Sequence, residues 1–338
     1  MAGYDDLFKP ATLTQVVNNI TTQERKVYDL LFKGKERMCD SDILQWDIIN
    51  APQRILSNKS VHEPITASDN ATREVKTLQA PRLTDGKTIT AAFLQNLRRY
   101  GGSPMEREQL KEMIARETLD ARNAFDRTLE YWANKLLETF KIYDSDGTTV
   151  LYEYDIPAGH DDPAVTENPI ADLTNDLCPL IRQDAYANIN KFYLLVGKTV
   201  YLHLLTNIHV RESLQYQFGK ALYNGALPPI GADMVEIIPI TSTFQRAGSW
   251  VANLTATSAV LVGTTNDWVE VPYAPPVQLE GSGVVGSPTS NAGMFWSQSE
   301  FKLNPAAWHI YFESRPLPVL KRPGCVIRLT PTEWNHTS

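Results

Sequence analysis

The chain has 338 residues, 43% of them hydrophobic and 21% charged, with a net charge of −7. That length allows two or three domains with a real core, and the composition excludes a disordered protein. No apolar run approaches the 18 residues of a membrane-spanning helix, and an acidic chain is a poor match for a protein that grips DNA broadly through its phosphates.

The leader "MAGYDDLFKP" lacks the basic and apolar segments of a secretory signal. Two short helical patterns follow, "TLTQVVNNI" and "TQERKVYDLLF", each needing something else to cover its apolar side. Residues 40–90 read as extended: "ILQWDIINAPQRIL" and "REVKTLQAPRL" are joined by the polar "SNKSVHEPITASDNAT". This predicts a long hairpin without a core of its own. An isolated two-stranded ribbon is marginal in water. Ordering some 50 residues costs on the order of 50 kcal/mol, which at about 25 cal/mol per Å² corresponds to roughly 2,000 Å² of apolar burial. Obligate subunit interfaces supply areas of that order.

The most regular stretch starts at Ser103. Ser103, Pro104 and Glu106 read as a capping box with proline at the first helical position. Leu110, Met113, Ile114, Ala121, Phe125, Leu129, Trp132, Leu136 and Phe140 then recur at steps of mostly three and four. The spacing predicts a helix over 104–140, about 50 Å long, with a narrow apolar stripe and a mostly polar circumference. Arg122 and Asp126 are spaced for a surface ion pair worth a few tenths of a kcal/mol. "FKIYDSDGTTVLYEYDIP" predicts two strands around a turn. A calcium loop is a poor reading of it, since the twelfth position is Asp155 and the sixth Thr149.

From Asn168 the pattern is α+β: helical "PIADLTNDL…DAYANINKF", a strand "TVYLHLL", a helix "NIHVRESLQYQFGKALY", and strands "MVEIIPI", "SAVLVGT" and "DWVEVPY". A loose "LEGSGVVGSPTSNAG" precedes "AWHIYFESRPLPVLKRPGCVIRL", an extended terminal strand pair whose prolines suit sheet edges.

The sequence holds no constellation for catalysis, metal or cofactor. Cys39, Cys178 and Cys325 are far apart and odd in number, as expected of structural thiols. His160 beside Asp161 and Asp162 has no second histidine at ligand spacing. There is no GxSxG, no GxxxxGK[ST] and no GxGxxG after a strand. The basic residues Arg315, Lys321, Arg322 and Arg328 are sparse, which favours solvated or interfacial roles over nucleic-acid contact.

The order of parts resembles the HK97-like bacteriophage capsid fold: an arm, an extended hairpin, a strut helix entering a small sheet, a second α+β region and a returning strand. "DRTLEYWANKLLETFKIYD", "VLYEYDIPAGH" and "ESRPLPVLKRP" together resemble the lambda-type, gpE-like major capsid protein family. The resemblance implies an α+β chain divided into an N-arm (1–39), an E-loop (40–90), a P-domain (91–165 and 303–338, with its spine helix) and an A-domain (166–302). It implies a non-enzymatic shell protein that assembles into hexamers and pentamers around double-stranded DNA. The expected partners are itself, a separate scaffolding protein, a portal and a decoration protein. The expected place is the virion, after assembly in the bacterial cytoplasm. The alternative with the same fold is an encapsulin-like compartment. Residues expected at assembly contacts are Arg54, Glu63, Asp69, Arg73 and Glu74 on the arm, and Arg315, Lys321 and Arg322 in the tail.

Overall fold

Residues Arg107–Thr139 form a single 33-residue helix, α1, in the computed structural model. The model describes Leu13 and residues 25–50, 72–90, 107–144, 146–217, 227–246, 248–276, 279–280, 283–284, 294–303 and 306–335. The expected capping box at Ser103 lies outside them. At about 1.5 Å per residue α1 spans about 50 Å. It ends where Phe140 takes a positive φ of 55°, with its N–H donating to Leu136 O and its own carbonyl accepting from Tyr154 N. A left-handed residue stops the helix and turns the chain. The result is the hairpin of β5 (Lys141–Tyr143) and β6 (Val150–Glu153).

Before α1 lie the helical turn Tyr28–Phe32 and four strands: β1 (Glu36–Met38), β2 (Ile43–Asn50), β3 (Thr72–Gln79) and β4 (Leu83–Thr90). β2 and β3 pair antiparallel, Ile43 opposite Gln79 and Asn50 opposite Thr72. Leu44, Trp46 and Ile48 on one face of β2 are buried, and the Trp46 ring meets Tyr152 edge-on at 5.4 Å. The base of the hairpin is therefore seated on β6, contrary to an arm without a core. Each of these side chains contributes about 1.5–3 kcal/mol by burial. The second arm strand also stops earlier than the sequence suggests. Ala80 and buried Pro81 end the pairing, and β4 passes to a different sheet.

After β6 a helical run of Pro169–Ala171, Asp172–Leu177 and Cys178–Asp184 makes α2. Asn168 caps it, accepting from Ile170 N and Ala171 N. β7 (Lys191–Val196), α3 (Lys198–Thr206), α4 (Ile208–Gln217), β8 (Glu236–Pro239), β9 (Thr243–Arg246), β10 (Ser249–Ala252), β11 (Ala259–Thr264) and β12 (Val269–Tyr273) follow. Two corrections to the sequence reading fall here. Residues 191–196 are a strand, and "TVYLHLL" is helical. Val200 and Leu204 point inward one turn apart, so a stretch rich in β-branched and aromatic residues obeys the helical period once the chain has bent at Gly197. A Cβ there would sit 2.6 Å from the carbonyl oxygen of Ala256 and closer still to that of Thr255.

The last elements are the short pair β13 (Leu279–Glu280) and β14 (Gly283–Val284), then β15 (Trp296–Leu303), β16 (Ala306–Ser314), β17 (Val319–Leu320) and β18 (Val326–Leu329). β4 pairs with β16 and β16 with β15, so residues 83–90 share a sheet with the tail rather than with the arm. β18 pairs with β11 in the four-stranded order β18-β11-β7-β8. The terminal strand thus closes the sheet of the second α+β region, whereas the sequence reading returned it to the β5–β6 sheet. The reason is the pattern: Val326, Ile327 and Leu329 are all buried, which suits a strand covered on both faces, and β5–β6 is too short to cover it.

Candidate assembly surfaces

The polar residues of α1 are the first surprise. Thr118, Arg122, Asp126, Glu130, Asn134 and Glu138 are all buried. They recur every four residues. At about 100° per residue each step advances the row by about 40°, so the seam winds around the helix and meets several elements in turn. Asp126 lies 2.8 Å from Arg25 and 3.2 Å from Arg122. Glu130 accepts the backbone N–H groups of Val27 (3.0 Å) and Tyr28 (2.8 Å). Glu138 pairs with Lys135 and accepts from Thr255 N. Part of the expected polar circumference is thus an internal surface that holds the N-terminal segment and the 253–255 loop, while Arg116, Asp120 and Arg127 stay exposed. Spacing of four was visible in the sequence; the partners that bury it come from 90 or more residues away.

The electrostatics follow from burial. It pushes the Asp126 carboxyl up and the Arg122 guanidinium down, each against the pull of the opposite charge. Burial also pushes Glu138 up, but hydrogen bonds from Lys135 and Thr255 outweigh it and hold the carboxyl below the usual range. The Asp146 carboxyl in the β5–β6 turn is held well below it by the Thr149 hydroxyl and the N–H groups of Thr148 and Thr149. Those bonds close the turn.

The residues expected at assembly contacts divide into three groups. Arg54, Glu63 and Asp69 lie outside the described residues. Arg73 and Glu74 stand exposed on β3, Arg73 3.7 Å from Asp47 and Glu74 paired with Lys76. The tail residues turn inward. Arg315 is only 4% exposed, bonded to Asp42 and to the carbonyls of Pro275 (2.9 Å) and Ala80 (3.4 Å). Arg322 donates at 3.2 Å to the carbonyls of Ala185 and Tyr186, capping the end of α2. Lys321 holds Asp267 at 2.6 Å, and Arg328 pairs with Asp161. These cations bind the tail to its own subunit, Arg315 most completely.

His160 is fully buried, Nδ1 2.7 Å from Val326 O and Nε2 3.0 Å from the Asp184 carboxylate. It ties β18 to α2. Among the described residues no three His, Cys, Asp or Glu side chains converge as metal ligands, and no helix is long and apolar enough to cross a membrane. The three cysteines are unbonded, and burial pushes the Cys178 and Cys325 thiols up to about 12, so neither is a nucleophile at neutral pH.

Large apolar side chains left exposed on strands include Ile43 and Val75 on the outer face of the hairpin, Phe301 and Leu303 at the end of β15, and Trp250 on β10. Such residues are the usual material of protein interfaces. A family model for phage major capsid protein E matches residues 9–331. The chain belongs to that family. It is a structural, shell-forming capsid protein rather than an enzyme, and its association with copies of itself follows from that role.

Among curated proteins none matches the chain by sequence. Solved structures are similar to it at identities that speak for the fold alone. One is assigned as the capsid protein of a prophage of Escherichia coli CFT073: 14% identity, TM-score 0.58, 95% of this chain and 98% of that one covered. Another is a phage-related protein from Bordetella bronchiseptica RB50: 9%, 0.54, with 96% and 97% covered. A third is the mature capsid of bacteriophage PhiM1: 11%, 0.50, with 89% and 86% covered. The architecture of this capsid protein is the HK97-like fold.

Proposed function

We propose that the protein is the tile of an icosahedral head, arranged in hexamers and pentamers around double-stranded DNA and built in the bacterial cytoplasm with a separate scaffolding protein and a portal. A decoration protein on the outer surface belongs to the same reading. Residues 1–39 serve as the N-arm, the hairpin of β2 and β3 as the E-loop, α1 with its flanking strands as the P-domain, and the region of the four-stranded sheet as the A-domain.

The observation that carries this reading is the two-faced hairpin. Leu44, Trp46 and Ile48 fix its root on the subunit, while Ile43 and Val75 on the opposite face are 56% and 60% exposed. A ribbon with one face rooted and two large apolar side chains exposed among polar ones on the other suits a neighbour that covers it. Negative-stain microscopy of the purified protein, expressed with the scaffold gene of its own phage, tests the proposal. Closed shells of uniform size are expected. A compact monomer at high concentration in sedimentation overturns it, and shells filled with an enzyme instead of DNA transfer the chain to the compartment class.

A further inference from the structure

Beside the groove of about 620 Å³ that α1 and the β9–β10 hairpin form around Trp250 lies a smaller cavity of about 150 Å³. Three parts of the chain build it: Arg25 and Lys26 before the helical turn, Arg127 on α1, and Ser242 and Asn253 at the base of the hairpin. A cavity of about this volume holds a guest the size of benzene, and a tetrahedral oxyanion is no larger.

The lining carries positive charge that the subunit does not use. Three cations meet two carboxylates there, Asp126 and Glu130, and both carboxylates are buried and already occupied. Asp126 holds Arg25 and Arg122, and Glu130 accepts from Val27 N and Tyr28 N. Lys26 and Arg127 are exposed and make no ion pair among the described residues. The Arg25 guanidinium gives its two Nη groups to Asp126 and Asp29, while its Nε is buried without an acceptor. A buried donor of this kind is costly to leave unmade.

The other unpaired group has the opposite need. Asn253 is 6% exposed, its Nδ2 donates to Ser242 Oγ at 2.7 Å, and its Oδ1 is buried with no donor. The lining therefore complements a guest that is an anion and also a hydrogen-bond donor. Chloride, sulfate and a phosphodiester have no proton to give at neutral pH. Hydrogen phosphate has both properties: oxygens that accept from cationic N–H groups, and a P–OH that donates to an amide oxygen.

We propose that this cavity binds inorganic phosphate, held by Arg25, Lys26 and Arg127 and selected over other anions by Asn253. The bound ion clamps the segment before Tyr28 to α1 and to the base of the β9–β10 hairpin. The inference does not depend on shell formation.

Isothermal titration calorimetry of the full-length protein at constant ionic strength tests it, with inorganic phosphate as the probe in a phosphate-free buffer. Phosphate should bind about tenfold or more tighter than sulfate, the difference expected when one buried acceptor is left without a donor. Lys26→Ala and Arg127→Ala should each weaken phosphate binding by about tenfold, as the loss of one hydrogen bond to a charged group does. The double variant should not bind, with its circular dichroism unchanged because both side chains are exposed and unpaired. Phosphate should also raise the melting temperature of the native protein and leave that of the double variant where it is. An absence of binding to the native protein overturns the proposal. So does sulfate bound as tightly as phosphate, because Asn253 then selects nothing, and so does binding that survives in the double variant. Displacement of phosphate by a single-stranded oligonucleotide without terminal phosphates overturns it too, and assigns the cavity to the DNA backbone.

Discussion

Arg25 and Asp126 are 101 positions apart in the chain and 2.8 Å apart in the fold. Arg122 approaches the same carboxylate at 3.2 Å from one helical turn away, so a single buried acid neutralises two arginines, and the guanidinium of Arg122 also lies 3.5 Å over the ring of Phe295. Taking three charges out of water is expensive, and breaking such a set is more expensive than replacing it. Asp126→Ala should therefore cost about 3–5 kcal/mol, read as a lower urea midpoint at unchanged slope. Replacing Arg25, Arg122 and Asp126 together with leucine or methionine should recover most of that loss. A triple variant no more stable than the single one would show that the three residues act separately.

Glu138 gives the acid limb of stability its shape. Its folded pKa lies below the unfolded value of 4.5, so its contribution is complete above that value and is lost as the pH falls through the folded pKa. Asp126 has the opposite sign. Its pKa is raised above 3.8, so its term is present below the unfolded pKa and is lost as the pH rises through the folded one. Urea unfolding between pH 3 and 6 should show a shallower acid decline in Glu138→Gln than in the native protein. An unaltered profile would mean that Lys135 and Thr255 do not hold the carboxylate in solution.

Trp132 is 6% exposed at the point where α1 meets Leu317 and Ile142. Truncation to alanine removes a large buried ring and should cost about 3–5 kcal/mol, seen as a fall in the melting temperature of the unassembled subunit. Gly197→Ala should act through the backbone instead. Its Cβ meets two carbonyl oxygens of the 255–256 loop that cannot move aside as a flexible side chain can, so a loss of about 1–3 kcal/mol is expected. A neutral outcome would show that the loop shifts freely from the start of α3.

The spine helix, the β5–β6 hairpin and the strands β8, β11 and β12 were legible because each rests on local period or turn chemistry. Failures came where distant partners decide. "TVYLHLL" has the composition of a strand, but Val200 and Leu204 are the residues that face inward, and only the close approach of Gly197 to the 255–256 loop sets the chain up for a helix. The polar seam of α1 was read as solvent-facing because nothing in the spacing of Asp126 and Glu130 names Arg25, Val27 or Tyr28 as their partners. Nor does the sequence name the internal partners of Arg315: the carbonyls of Ala80 and Pro275 that receive it lie 235 and 40 positions away. The β9–β10 hairpin and its exposed Trp250 left no sequence signal strong enough to mark a groove.

The hairpin arm carries the last prediction. Its root is fixed by Leu44, Trp46 and Ile48 and by the pairing of Ile43–Asn50 with Thr72–Gln79. Replacing residues 51–71 with a short Gly/Ser link should therefore leave that root, and the rest of the subunit, folded. Assembly should fail, because the segment removed carries Arg54, Glu63 and Asp69, and charges of that kind set register between partners more than they set affinity. Arg73 and Glu74 remain in the deletion protein as exposed residues on opposite faces of β3, so their separate reversal, Arg73→Glu with Glu74→Lys, tests whether the rooted half also contributes. Native circular dichroism with no shells by electron microscopy is the expected pair of results. Global unfolding of the deletion protein would show that residues 51–71 pack inside their own subunit, and normal shells would show that neighbours are joined elsewhere, with the exposed end of β15 around Phe301 and Leu303 as the next surface to alter.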